Sequence, residues 1–308
     1  MADLYGMTGK IARVDLTSGT VSVVEPGEEI YRKFLGGSAL GAYYLMKEGI
    51  LDPGVDPLGP DNLWQLMIGP VTGAGANPRS VITCKSPYNN FCATTCGGHA
   101  GAELKFAGWD GIQVTGKASS PVYISIVDDN IEIRDASHLW GMEVEEAEII
   151  MKKEVMADIE FREAMIRDAD LTPEWAEMRP PKRLGMHEKR LAHVWLIGVG
   201  GENQVWYAAT MTEGARAHGR HGSGAVAGSK NLKGIVVRGT KGHVLADKKQ
   251  YLGLIKNVQA SQRGNYFWRS YGTAGIGARS AYVEDAIPSR TWQWCVLADP
   301  NHKANTGA

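Results

Sequence analysis

Residues 214–231 read GARAHGRHGSGAVAGSKN. Two arginines four apart, Arg216 and Arg220, stand beside His218 and His221, with small residues behind them. A guanidinium is a permanently charged planar fork suited to phosphate. Gly219 and its neighbours let backbone N–H groups approach a ligand, and the A-V-A-G-S-K-N that follows can open a helix whose N-terminus favours an anion. The stretch is therefore a candidate anion cradle. The alternative is an ordinary Gly-rich turn carrying solvated arginines.

Other residues could do chemistry, each with a plainer reading beside it. Cys92-x₃-Cys96, with Cys84 nearby, suggests a metal site, but structural zinc wants two pairs of ligands and only the distant Cys295 remains. Buried or loop thiols are the expected reading. His99, His218 and His221 could carry protons or bind a ligand, or could simply be packed or solvated in loops. Asp128, Asp129 and Asp135 fit turn chemistry, and Glu143, Glu145, Glu146 and Glu148 fit the first turns of a helix. Gly198-x-Gly200-Gly201 lacks the rest of a dinucleotide fingerprint. No Ser/His/Asp order or Walker sequence stands out.

The elements that must position these residues follow from the pattern. With 44% hydrophobic residues, 308 positions suffice for a core, as one large domain or two smaller ones. A net charge of −1 offers no field for nucleic acid or an anionic membrane. No signal-like or 18-residue apolar run appears. A cytoplasmic protein without membrane insertion is expected. Hairpins are expected at 9–24 and 121–136, helices over 28–47 (interrupted at Gly36-Gly37), 100–106 and 142–156, and strands at 63–68, 80–85, 111–115, 194–197, 204–211 and 234–238. Residues 52–62 and the polar stretch before residue 100 read as loops, and 157–192 as a charged surface insertion. From Asp247 the character turns to helix and loop.

A shift of 123 residues overlays two parts of the chain. Gly101-Ala102 meets Gly224-Ala225, Gly111-Ile112 meets Gly234-Ile235, Val114 meets Val237, and Gly116 meets Gly239. Hairpin 9–24 corresponds to hairpin 121–136, and the strand ending Met67-Ile68-Gly69 to Leu196-Ile197-Gly198. The repeated order of hairpin, helix, strand, Gly-rich loop, short helix and strand points to a duplication. It sets Thr94–Gly98 opposite Ala217–His221, so two Gly-rich loops would face a common cleft. Such a surface suits a ligand with two similar anionic groups. Arg79, on the strand before the first loop, could match the arginines of the second.

The chain closely resembles the tungsten-dependent aldehyde:ferredoxin oxidoreductase family in its N-terminal domain. The resemblance is carried by TGKIARVDLTSG (8–19), KFLGGSALGAYYL (33–45), IGPVTG (68–73), GGHAGAELKFAGWDGIQVTGKASSPVYI (97–124), IEIRDASHLWG (131–141), GGEN (200–203) and ARAHGRHGSGAVAGSKNLKGIVVRG (215–239). It implies an α+β, pseudo-two-fold duplicated domain of β-hairpins and antiparallel sheets with short helices. That domain, residues 1–245, would hold a tungsten bis-pyranopterin cofactor (tungstopterin), and 246–308 would begin a helical domain.

By motif position the resemblance implies a cofactor site of Arg79, Thr95, Cys96, Gly97, Gly98, Arg216, Ala217, Gly219 and Arg220. The backbone carbonyls of Thr95 and Ala217 would bind a bridging Mg2+. The implied activity is oxidation of an aldehyde to a carboxylic acid, with electrons passing through a [4Fe-4S] cluster to ferredoxin or another electron-transfer subunit. A homo- or hetero-oligomer is expected. The alternatives are the tungsten subunit of a benzoyl-CoA-type ring reductase and a non-catalytic pterin-binding or assembly subunit. No residue earns a general acid/base assignment. The chain departs from the family in segment 157–192 and in lacking the cluster's C-x₂-C-x₃-C motif. An incomplete chain is the expected explanation, and a split enzyme the competing one.

Overall fold

The computed structural model describes residues 4–74, 78–156, 192–214, 216–264 and 270. Of the expected insertion at 157–192, all but Ala192 lies outside these residues, as does most of the chain beyond Gly264. Backbone contacts divide the chain into two units, Met1–Ala246 and Asp247–Ala308.

The first half of the first unit opens with the hairpin β1 (Ile11–Asp15) and β2 (Thr20–Val24), followed by α1 (Glu28–Phe34) and α2 (Gly37–Lys47). It continues with β3 (Trp64–Met67), β4 (Ser80–Ser86), β5 (Asn90–Cys96), α3 (Ala100–Ala107) and β6 (Gly111–Thr115). The second half repeats the scheme with β7 (Val122–Val127), β8 (Asn130–Asp135), α4 (Val144–Val155), β9 (His193–Leu196) and α5 (Val199–Glu202). It closes with β10 (Thr210–Thr212), β11 (Arg216–His218), α6 (Ser223–Ser229) and β12 (Leu232–Arg238). The second unit contributes α7 (Lys248–Gly264).

Each half builds one six-stranded sheet, ordered β2-β1-β6-β3-β4-β5 and β8-β7-β12-β9-β10-β11. Adding six to every strand number turns one order into the other, so the duplication read from the sequence is present in the topology. The sheets are mixed and not purely antiparallel: β1 runs parallel to β6, and β7 parallel to β12. A strand that returns to its own sheet after intervening helices and strands can re-enter beside the first in parallel.

Two glycines show why the repeat kept its spacing. A Cβ on Gly111 would lie 2.8 Å from the Leu66 carbonyl oxygen, and one on Gly234 would lie 2.5 Å from that of Trp195. Both strands press their backbones against the neighbour at the same place, where a side chain has no room.

The two sheets face each other across a shared core. Val14, Leu66, Ile82 and Ile112 of the first pack with Ile124, Trp195, Ile235 and Val237 of the second. On the outer faces, α1 and α2 cover the first sheet through Tyr31, Leu40, Tyr44 and Leu45, and α4 covers the second through Ala147 and Met151. The short helices are exchanged. α3 packs on β12 and β9 of the second half, and α6 reaches β3 and β4 of the first while also packing on α5 and β12 of its own half. Hydrogen bonds seal the exchange: Trp64 Nε1 donates to the Ser223 carbonyl at 3.1 Å, and the Gly239 amide to Glu103 Oε1 at 2.8 Å.

Two buried acids are paired with buried lysines, as the cost of isolating a charge favours. Asp110, fully buried, accepts from the amides of Thr8 and Gly9, from Tyr31 Oη at 2.9 Å and from Lys105 Nζ at 2.5 Å. Lys233 meets Glu202 and donates to the Met142 carbonyl at 2.9 Å.

Two stretches depart from the sequence reading. Residues 90–96 form β5 where a loop was expected, because Cys92, Thr94 and Cys96 alternate inward against β4. Residues 204–211 are mostly loop, and only Thr210 onward joins the sheet. Gln204 adopts a left-handed φ of 54°, and Trp206 and Tyr207 stand exposed. Apolar composition alone mimicked a strand there.

Candidate functional site

β5 and β11 are the edge strands of their sheets, and they lie against each other. Edge strands carry unpaired backbone groups that need a partner. Here each half supplies the other's cover. Arg216 Nη1 lies 3.3 Å from where a Cβ on Gly97 would sit. His218 Nδ1 is 2.9 Å from the Thr94 carbonyl oxygen, and His221 Nδ1 is 3.0 Å from Asn89 Oδ1. The two segments thus run antiparallel, with 216 beside 97, 218 beside 94 and 221 beside 89. Under the 123-residue offset, the Thr94–His218 contact maps onto Thr95 and Ala217, which places that pair next to the pseudo-two-fold axis.

Arg216 and Arg220 are exposed, as are Thr95 and Ala217. A side chain on Gly219 would meet nothing within 4 Å. Arg220, His221 and Gly222 follow one another at left-handed φ values of 64°, 61° and 76°. For non-glycine residues that conformation costs energy and persists where neighbours enforce it. The first half does so: Ser86 Oγ donates to the His221 carbonyl at 2.7 Å, and Pro87 packs against Gly222.

Arg79 is exposed immediately before Ser80, which pairs with Cys96, so it stands at the Gly97 end of the strand. Burial pushes the Cys96 thiol pKa up, while the nearby Arg216 and Arg79 draw it down and Glu213 opposes them. Three groups from both halves thus act on one sulfur. Cys84, Cys92 and Cys96 are free and buried, and no three-ligand metal group exists among the described residues. Cys84 and Cys92 pack into the shared core.

His218 is a tie and not a proton carrier. It is wholly buried, and burial lowers its pKa to about 4. The Thr94 carbonyl can only accept, so Nδ1 carries the proton and Nε2 accepts from Ser80 Oγ at 3.2 Å. Trp195 Nε1 donates in turn to Ser80 Oγ at 3.3 Å. The chain of bonds fixes the tautomer.

The helix α6 expected to offer amides to an anion is seven residues long, and its starting residue Ser223 is buried. The Gly224 amide donates to the Ala208 carbonyl at 2.9 Å. What faces outward is the segment from Arg216 to His221.

Glu213 and His193 escaped the sequence reading. Glu213 sits at the junction with a left-handed φ of 51°. Its carboxylate accepts the His99 amide hydrogen bond, and lies 3.2 Å from His193 Nδ1 and 3.5 Å from Arg216 Nε. Burial pushes its pKa up, but His193 and the His99 amide outweigh that and hold it at about 2. His99 and His193 stack at 5.7 Å. The one available signal was the acidic residue directly before Gly214 at a turn.

These features define a duplicated α+β domain whose halves lay two Gly-containing segments side by side, the second bearing Arg216 and Arg220. The sequence model of the aldehyde ferredoxin oxidoreductase N-terminal domain matches residues 11–169 and 154–239. The chain belongs to that family. It is 42% identical over 256 residues to a tungsten-containing aldehyde ferredoxin oxidoreductase of Thermococcus kodakarensis, covering 82% of this chain and 37% of the relative.

It is also 36% identical over 294 residues to the WOR-like subunit of an aliphatic sulfonate oxidoreductase from Pyrococcus furiosus, covering 94% of this chain and 44% of that protein. Among solved structures, the active-site complex BamBC of benzoyl coenzyme A reductase with 1,5-dienoyl-CoA matches with a TM-score of 0.70 and 33% identity. That match covers 85% of this chain and 35% of the other. The chain therefore spans less than half the length of these relatives.

Proposed function

We propose that this chain is the cofactor-holding portion of a tungsten bis-pyranopterin oxidoreductase that oxidises aldehydes to carboxylic acids. Electrons would leave through a [4Fe-4S] cluster to ferredoxin. The observation that supports this reading is the pair of pseudo-equivalent segments, 94–98 and 217–221, brought together from the two halves. A ligand with two similar anionic arms fits two related cradles. Relatives named as tungsten-containing aldehyde ferredoxin oxidoreductases supply the class of ligand.

In this account Arg216 and Arg220 bind the anionic arms as charged forks, and Gly97, Gly98 and Gly219 keep side chains out of the approach. Thr95 and Ala217, beside the pseudo-axis, would offer carbonyl oxygens to a Mg2+, whose preference is for oxygen ligands. Arg79 stands at the Gly97 end. When bound, the tungsten group supplies the two-electron redox chemistry, and the chain supplies binding and orientation. Cys96 precedes Gly97 in the first segment, where burial pushes its thiol pKa up.

A ring-reductase subunit is the second reading, favoured by the similarity to the BamBC complex. Both are tested on anaerobically purified protein. Tungsten and phosphorus in constant ratio to the chain, with pterin fluorescence after oxidation, are the expected result. Neither on a clean, folded chain would sink both readings. Aldehyde-dependent reduction of a ferredoxin separates the first from the second.

A further inference from the structure

We propose that Glu213 is a positioning residue that clasps the two Gly-rich segments together and orients Arg216 toward the anionic ligand. The inference rests on the reading that these segments hold an anion. Glu213 reaches both halves at once. It accepts from the His99 amide, which begins α3 just after Gly97-Gly98, and it faces Arg216 Nε at 3.5 Å on β11. Engaging Nε leaves the outer guanidinium nitrogens to point elsewhere, and Nη1 lies alongside Gly97.

The fit is close on the other side. Gly98 has a φ of 103°, and a Cβ there would fall 2.8 Å from the Glu213 carboxylate. The backbone of the first loop therefore rests on the acid itself. Its neighbours are His99 and His193, both near Oε1, with Arg216 near Oε2. With its side chain 18% exposed, the carboxylate is largely walled in by these groups.

A carboxylate beside an arginine could have the opposite effect, competing with the ligand for the guanidinium. Two substitutions distinguish the roles. Glu213→Gln keeps an oxygen for the His99 amide and removes the charge, whereas Glu213→Ala removes both. Inorganic pyrophosphate is the probe, titrated into the full chain by calorimetry, alongside amide hydrogen exchange.

The clasp predicts that Glu213→Gln binds pyrophosphate within about threefold of wild type while Glu213→Ala binds at least about tenfold more weakly. It also predicts that exchange in Glu213→Ala rises together, by about tenfold, at 97–99 and 214–218, two segments from different halves, with Glu213→Gln restoring protection. Tighter binding in both variants would overturn the proposal and leave Glu213 a mere competitor. So would loosening confined to 214–218.

If wild type does not bind pyrophosphate but both segments loosen together, the anion cradle fails and the clasp stands. Should Glu213→Ala not fold, Gly98→Ala tests the same contact by displacing the carboxylate. Coupled loosening is then expected, and a disturbance confined to 97–99 would refute the clasp.

Discussion

His218 illustrates how little freedom the residue scale leaves near the pseudo-axis. Its imidazole is neutral in the folded chain, with a pKa lowered to about 4 by burial against an ordinary 6.5. The unfolded chain takes up a proton below 6.5 and the folded chain does not, so stability is full above 6.5 and falls as pH drops toward 4. The expected loss is on the order of 3 kcal/mol. Denaturation midpoints compared across that range should show this slope, and His218→Leu should flatten it while lowering stability overall by roughly 1–3 kcal/mol.

The two arginines make a different prediction. Arg216→Ala should sharply lower tungsten and phosphorus content with little change in melting temperature, because its side chain is 56% exposed. Arg216→Lys should restore the load only in part, since an ammonium cannot replace the fork. Arginines and glycines were legible because their chemistry is local to the sequence. Glu213 and His193 were not: they acquire meaning only when residues 99, 193 and 213 meet in space.

At the element scale, the glycines at equivalent positions of β6 and β12 make the duplication testable. Gly111→Ala and Gly234→Ala should each destabilise by roughly 1–3 kcal/mol through overpacking against the neighbouring strand. Similar losses in thermal unfolding would show that the two sheets still share one constraint. Asp110→Ala should cost more, about 3–5 kcal/mol, because it strands buried Lys105 and orphans Tyr31 and two amides.

The alternating hairpins and the two strands ending in Gly69 and Gly198 could be read directly, since their patterns are set by burial on the strand itself. Strand β5 could not, because its polar residues face an edge whose cover comes from the other half. The stretch 204–209 misled for the reverse reason: exposed Trp206 and Tyr207 look like core residues in one dimension.

Across the whole molecule, the two sheets enclose one core and each half lends a short helix to the other. Segments cut between Ala118 and Val122 should therefore not fold alone, and mixing the two should recover native circular dichroism. Independent folding of either piece would contradict the exchanged packing. Half of this architecture was visible in the 123-residue repeat. The exchange itself was not, because a repeat records which units exist and is silent on which unit each one touches.

That exchange has a consequence in time. Trp64 finds its partner 159 residues later, and Glu103 finds its own 136 residues later. Contacts so distant delay closure, since the intervening chain must be ordered before they reward it. During synthesis the first half waits, with α3 unseated, until β12 has been made. Strands β5 and β11, which come from different halves, can likewise lie against each other only once the second half has been made.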